Sequence, residues 1–132
     1  MLKIPKLSVI VAERKLKFRG TAGKTKTIKV FLGKPVKAPN THGDMCCPLK
    51  IVGIGDDSVK GAFGVDAVQA LIMALWKIQV DLDGFAKRQK GTIEWVGSSG
   101  HGFPFFSLET NVLAKLLTEY RKPEENNGQT EH

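Results

Sequence analysis

At 132 residues, with 42% hydrophobic and 25% charged side chains, the chain has the size and composition of one packed globular domain, which excludes a disordered or fibrous protein. Its two cysteines, Cys46 and Cys47, are adjacent and on a strand would point to opposite faces; this excludes a disulfide framework and fits a reducing, cytoplasmic setting. The net charge of +7 is uneven: residues 1–50 hold 12 basic against 2 acidic side chains (+10), and residues 51–132 hold 8 against 11 (−3). Such an imbalance marks either an anionic partner for the first half or a lysine-rich, solvated strand face that protects a sheet edge.

The first apolar run, Leu7 to Ala12, is short and is followed by Glu13, Arg14 and Lys15, so it reads as a strand and not as a secretory signal. Leu7, Val9 and Val11 alternate with their neighbours, and then Leu16 and Phe18 do so on the other parity. A regular strand keeps one face, so the slip predicts a bulge or break near Glu13 and Arg14. Residues 20–24 (Gly-Thr-Ala-Gly-Lys) read as a hairpin loop, and Thr27 to Leu32 as a second strand with Ile28, Val30 and Leu32 on one face and Lys29 and Phe31 on the other. Residues 33–44, with two prolines and two glycines, read as a long loop of the kind that is usually functional or mobile. A third strand is expected from about Cys46 to Ile54, with Pro48 near its start or at an edge because it has no N–H to donate.

Residues 56–63 are small and polar and read as a turn or a single helical turn. The main helix follows, from about Gly64 or Val65 to about Phe85, with Asp66 in its first turn, where a negative charge suits the dipole. On a helical wheel Val65, Val68, Leu71, Ile72, Leu75, Ile78 and Leu82 form one broad apolar face; Ala67, Ala70 and Ala74 lie on the other side and allow a second element to approach closely. Lys87, Arg88 and Lys90, with Gly91, close the helix. Thr92 to Val96 is a short fourth strand, Phe103, Phe105 and Phe106 return the chain to the core, and Val112, Leu113, Leu116, Leu117 and Tyr120 stripe a second helix that ends before Pro123. The longest apolar stretch, Ala70 to Trp76, falls far short of the roughly 20 residues of a membrane span.

The residues Cys47-Pro48, Gly53-Ile54-Gly55-Asp56-Asp57, Gly64-Val65-Asp66-Ala67-Val68-Gln69-Ala70-Leu71 and, later, Trp95 and Gly102-Phe103-Pro104 form a pattern. It resembles a family of short bacterial proteins known only as a domain of unknown function, over about residues 8–105. The resemblance implies a bacterial origin and a compact meander followed by a helix. It brings no catalytic residues.

Taken by themselves, the chemistry-bearing residues point to few activities. His42, Asp44, Cys46, Cys47 and His101 lack the paired ligand spacing of a zinc site, so no metal is expected. Cys46 or Cys47 with His42 or His101 would need contact in space and a lowered thiol pKa to act as nucleophile and base. Asp57, Asp66 and Gln69, near the C-terminal end of the third strand, are the candidate pocket for acid–base work, although aspartates there are also ordinary turn and helix-start residues. Gly53-Ile54-Gly55 lacks the third glycine of a dinucleotide fingerprint, and Asp56-Asp57 would repel a phosphate. Lys15, Lys17, Arg19, Lys24, Lys26 and Lys29 are the candidate nucleic-acid contacts, on an exposed sheet face or its hairpin tip, with Phe31 as the aromatic that shares the face.

The expected fold is α+β: an antiparallel meander of three to four strands packed on one long helix, with a C-terminal helix. Residues 1–122 form the single domain and residues 123–132 a disordered polar tail. The expected function is non-enzymatic and needs no cofactor. It is that of a small bacterial interaction protein in the cytoplasm, away from membranes. Its partner is another protein, either a toxin neutralised in the manner of an immunity protein or a second copy of the chain as a homodimer. The basic charge argues against a nuclease toxin, because such toxins are usually basic themselves. One alternative is a nucleic-acid-binding protein using the basic hairpin, and another is a small enzyme with a carboxylate site near Asp57 and Asp66.

Overall fold

A computed structural model describes residues 4–39 and 43–103. The expected C-terminal helix and polar tail, and His42, lie outside these residues. The described elements are β1 (Ile10–Arg19), β2 (Thr25–Gly33), β3 (Val36–Lys37), β4 (Met45–Val52), β5 (Lys60–Gly64), α1 (Ala67–Gln89), β6 (Thr92–Trp95) and β7 (Ser98–Ser99). All strands join one antiparallel sheet in the order β3–β4–β2–β1–β6–β7, with β5 also paired to β4. Met45 pairs with both Lys37 and Gly64, and Leu49 with both Leu32 and Lys60, so β5 runs along the opposite side of β4 from β2 and β3. The architecture is α+β with a single described helix, and the sheet is larger than a meander of three to four strands. None of the described helical segments is long and apolar enough to cross a membrane.

The β1–β2 hairpin follows the period-two pattern. Leu16 and Phe18 on β1 and Ile28 and Val30 on β2 are buried, while Lys15, Lys17 and Lys29 between them are exposed. The turn is closed by the Gly20 N–H on the Lys24 carbonyl at 2.9 Å. The register slip falls between Ile10 and Ala12, earlier than the expected break at Glu13 and Arg14. There the strand has passed beyond the core, and Val9, Ile10 and Val11 are all about half exposed, so neither parity is enforced by burial. Pro48 is fully buried inside β4, not at its start or at an edge. The segment read as a polar turn ends in β5, which pairs with Met45 to Leu49.

The helix begins where a capping exchange sets it. Asp66 is the N-cap, outside the first turn, and its Oδ1 accepts the Gln69 N–H at 2.8 Å; Gln69 Oε1 accepts the Val65 N–H at 2.8 Å. Lys90, in the left-handed region at φ 54°, ends the helix one residue before Gly91.

The helix seats on the sheet through its alanines. Ala70, Ala74, Ile78, Leu82 and Phe85 are buried against Leu16, Phe18, Ile28, Val30, Cys47, Leu49, Ile51, Ala62 and Ile93. Val65, Val68 and Ile72, expected on the core face, are exposed, at 65% for Val68 and 41% for Ile72. The wheel ranked the faces by hydrophobicity, whereas seating is decided by how closely the backbones approach. A Cβ on Gly64 would lie 2.5 Å from the Ala70 nitrogen, so the β5–α1 junction leaves room for methyl groups alone. Lys60 on β5 ties to Asp81 on α1 at 3.3 Å, and Lys77 reaches the same carboxylate at 3.8 Å.

This seating makes a direct prediction for urea unfolding. Ala74→Leu should cost about 1–3 kcal/mol by overpacking the contact. Ile72→Ser should stay within about 0.5 kcal/mol of the parent, as exposed sites do; the reverse order would mean that the helix is rotated.

Candidate functional site

With α1 on one face, the other face of the sheet is left to solvent over β1, β2 and part of β4. Alternation places Lys15, Lys17 and Arg19 of β1, Lys29 and Phe31 of β2 and Lys50 of β4 on this outer face, opposite in parity to the buried Leu16, Phe18, Ile28, Val30 and Leu49. Lys15 stands directly opposite Lys29, and Phe31 stands between Glu13 on one side and Lys50 on the other. Lys17 lies opposite Thr27 and, across the other edge of β1, opposite Glu94.

Two carboxylates share this face: Glu13, exposed opposite Phe31, and Glu94, which is engaged. Arg19 Nε donates to Glu94 Oε2 at 3.0 Å; that bond holds the Glu94 carboxyl below its ordinary range and raises the Arg19 guanidinium. The side chains of Lys15, Lys29 and Lys50 make no hydrogen bond or ion pair with a described residue. Like charges facing each other on neighbouring strands are destabilising.

Of the six basic residues singled out in the sequence, Lys15, Lys17, Arg19 and Lys29 share the outer face. Lys24 lies in the hairpin turn, and Lys26 turns toward the helix, with its Nζ 5.0 Å from the Phe85 ring centre. Lys50 was missed in the sequence; its place in the alternation of β4, on the parity opposite Leu49 and Ile51, was the available signal.

Beside Phe31 the face is recessed. Residues 4–7 run back across the β4 end of the sheet, where a Cβ on Gly33 would meet Leu7 at 2.6 Å and Pro48 at 2.9 Å. Between this segment and the sheet lies a cleft of about 370 Å³ lined by Lys6, Leu7, Ile10, Phe31, Lys50 and Val59. A second groove, of about 390 Å³, runs between β5 and α1 along Ala62, Phe63, Met73, Trp76 and Val80, and the buried Nε1 of Trp76 has no hydrogen-bond partner there.

The remaining candidates are used by the fold. Asp66 and Gln69 form the helix cap, and Asp57 Oδ1 accepts the Gly53 N–H at 3.2 Å in the preceding turn; both aspartates are exposed, and neither borders either of these clefts. Cys46 and Cys47 are free thiols, both completely buried, and Cys47 Sγ donates to the Gly33 carbonyl at 3.3 Å. Burial pushes both thiols up, Cys47 to about 11 with a smaller contribution from its neighbour. That is the opposite of an activated nucleophile.

His101 is buried, not solvent-exposed, and lies apart from the thiols. Its Nδ1 accepts the Phe103 N–H at 3.1 Å, so Nε2 carries the proton donated to Asp83 at 3.0 Å. Arg14 packs beside it, 3.8 Å over the Trp95 ring and 4.7 Å from that of Phe103, and donates to the His101 carbonyl. Among the described residues no three His, Cys, Asp or Glu side chains converge as metal ligands.

A family model described as "Domain of unknown function (DUF6968)" matches residues 12–105. No curated protein and no solved structure matches the chain.

The buried thiols carry a pH signature. Between about pH 9 and pH 11 an unfolded Cys47 loses its proton while the folded one keeps it, so the unfolded state binds fewer protons and stability falls as pH rises through this window. Urea midpoints measured across that range should fall less steeply for Cys47→Ser than for the parent chain. Parallel slopes would mean that Cys47 ionises alike in both states.

Proposed function

The chain belongs to the DUF6968 family, which brings no assigned activity, and we propose that it is a non-enzymatic macromolecular interaction protein whose partner is nucleic acid. The observation that carries this reading is the pairing of Lys15 with Lys29 on a sheet face with no covering layer among the described residues. A merely solvated face gains nothing from like charges set opposite each other, at a cost of a few tenths of a kcal/mol to about 1 kcal/mol. A phosphate backbone removes that cost and gains from the release of its counterions. Lys17 and Lys50 extend the same field, and Phe31 adds an aromatic surface within it. The thiols held neutral and the aspartates turned to backbone amides support the non-enzymatic half of the reading. Free, buried cysteines fit the cytoplasm.

A protein partner is the second reading, and the apolar groove beside Trp76 favours it. Its occupant would be a second copy of the chain, and the toxin-neutralising role has no separate support. Light scattering that gives a dimer mass, lost in Val80→Asp, would support this reading; a monomer at all concentrations would remove it.

The nucleic-acid reading is tested by salt-titrated binding to labelled single- and double-stranded DNA. With Lys15, Lys17, Lys29 and Lys50 each meeting a phosphate, the logarithm of affinity should fall against the logarithm of salt with a slope of about −3 on a single strand. A variant carrying Lys15→Glu, Lys17→Glu and Lys29→Glu should lose at least about tenfold in affinity. No binding by the parent chain at low salt would end the reading.

A further inference from the structure

We propose that the cleft beside Phe31 takes an unpaired nucleobase, which makes the partner a single strand and not a duplex. This rests on the nucleic-acid reading of the same face. Phe31 is half-buried, held from beneath by the sheet, and forms one wall of the recess; Leu7, Ile10 and Val59 supply the rest of its apolar lining. Lys6 and Lys50 stand at the same cleft, and Lys50 is directly opposite Phe31. Lys29 lies two residues back along β2, about 7 Å away by strand geometry, with Lys15 beside it. An apolar recess flanked by ammonium groups, one residue pair away from a lysine row, matches a nucleotide with its base inside and its phosphates along the row.

Geometry separates this ligand from the alternatives. A duplex keeps its bases stacked and paired, so it could meet the lysines and leave the recess empty. A single strand can turn a base out and stack it on an aromatic side chain, whichever base it is, because every base has a flat face. The cleft, at about 370 Å³, is lined among the described residues by apolar side chains and two lysines. The recognition that follows is of an unpaired base, without strong preference for its identity.

The test uses the full chain and three labelled probes: oligothymidine, an abasic strand of the same length and charge, and a duplex of half that length, which matches their charge. The parent should bind oligothymidine roughly tenfold or more tighter than the abasic strand. Phe31→Leu should bring oligothymidine down to the abasic level and leave duplex binding unchanged, and Phe31→Trp should restore the preference. Equal affinity of the parent for oligothymidine and the abasic strand overturns the proposal, and so does a Phe31→Leu variant with undiminished preference. If all three probes bind alike with a steep salt slope, the nucleic-acid reading stands and this one falls. If none binds, both fall. Should Phe31→Leu fail to fold, the abasic comparison on the parent chain decides alone.

Discussion

One helix can cover one face of a sheet, and in this protein α1 covers it by pressing Ala70 and Ala74 against the strands. The rest of the organisation follows from that contact. Close seating at the β5–α1 junction leaves space for methyl groups alone, so the larger Val68 and Ile72 turn to solvent. Toward its C-terminal half the same stripe grows to Ile78, Leu82 and Phe85, filling the wider space over β1 and β6 with branched and aromatic side chains. The outer face then has no helix among the described residues to bury it, and alternation obliges β1 and β2 to carry polar residues there. That much is required of any sheet with a single layer of cover. The sign of the charge is not. Threonines, or lysines opposed to glutamates, would solvate the face at lower cost, and Lys17 opposite Glu94 is such a pair. Lys15 opposite Lys29 is not, and this departure from the cheapest solution is what the proposed nucleic-acid role accounts for.

The outer face is itself divided. Toward β4 it is apolar, and residues 4–7 cross it, with Leu7 against Gly33 and Pro48. Toward β1 it is basic and open. Phe31 stands on the boundary, with lysine on three sides of it: Lys29 along its own strand, Lys50 across from it, and Lys6 on the crossing segment. The slip between Ile10 and Ala12 belongs to the same arrangement. Below it, β1 keeps the strict parity that buries Leu16 and Phe18; above it, the chain is free of the core and Ile10 joins the lining of the cleft. A regular β1 would have carried one parity through to its end and left the boundary without that wall.

Much of this could be read in the sequence where one strong periodicity governed. The β1–β2 hairpin, β4, the helix and β6 all show alternation or a helical repeat bounded by glycine or charge, and their positions follow. What could not be read there depended on partners distant in sequence. β5 is Lys-Gly-Ala-Phe-Gly, with two glycines and no alternation, and it is a strand because β4 offers it a free edge and its small residues fit beneath α1. Pro48 sits in mid-strand, where chain-local rules place it at an end, because its ring packs against Gly33 on the outer side. The rotation of the helix was hidden by the scale used to read it, since hydrophobicity favours valine and isoleucine where fit favours alanine. The candidate lysines were legible one by one, but their grouping was not, because Lys50 joins Lys15 and Lys29 through the register of three strands.

The distribution of partners among the titratable groups narrows the kind of work the site can do. The aspartates at the strand–helix turn accept backbone amides, Asp81 holds Lys60 and Lys77, Glu94 holds Arg19, and His101 is fixed between Asp83 and a backbone N–H. The thiols are sealed in the core with their protons retained. A general base or a nucleophile needs a group that is both reachable and poised to exchange a proton, and these groups have been given to capping, cross-linking and packing instead. The outer-face lysines are reachable and can attract and hold an anion. The outer face sets Lys29 and Lys50 beside Phe31, with Glu13 opposite the ring on β1, and this composition supports the proposed role in binding an anionic partner.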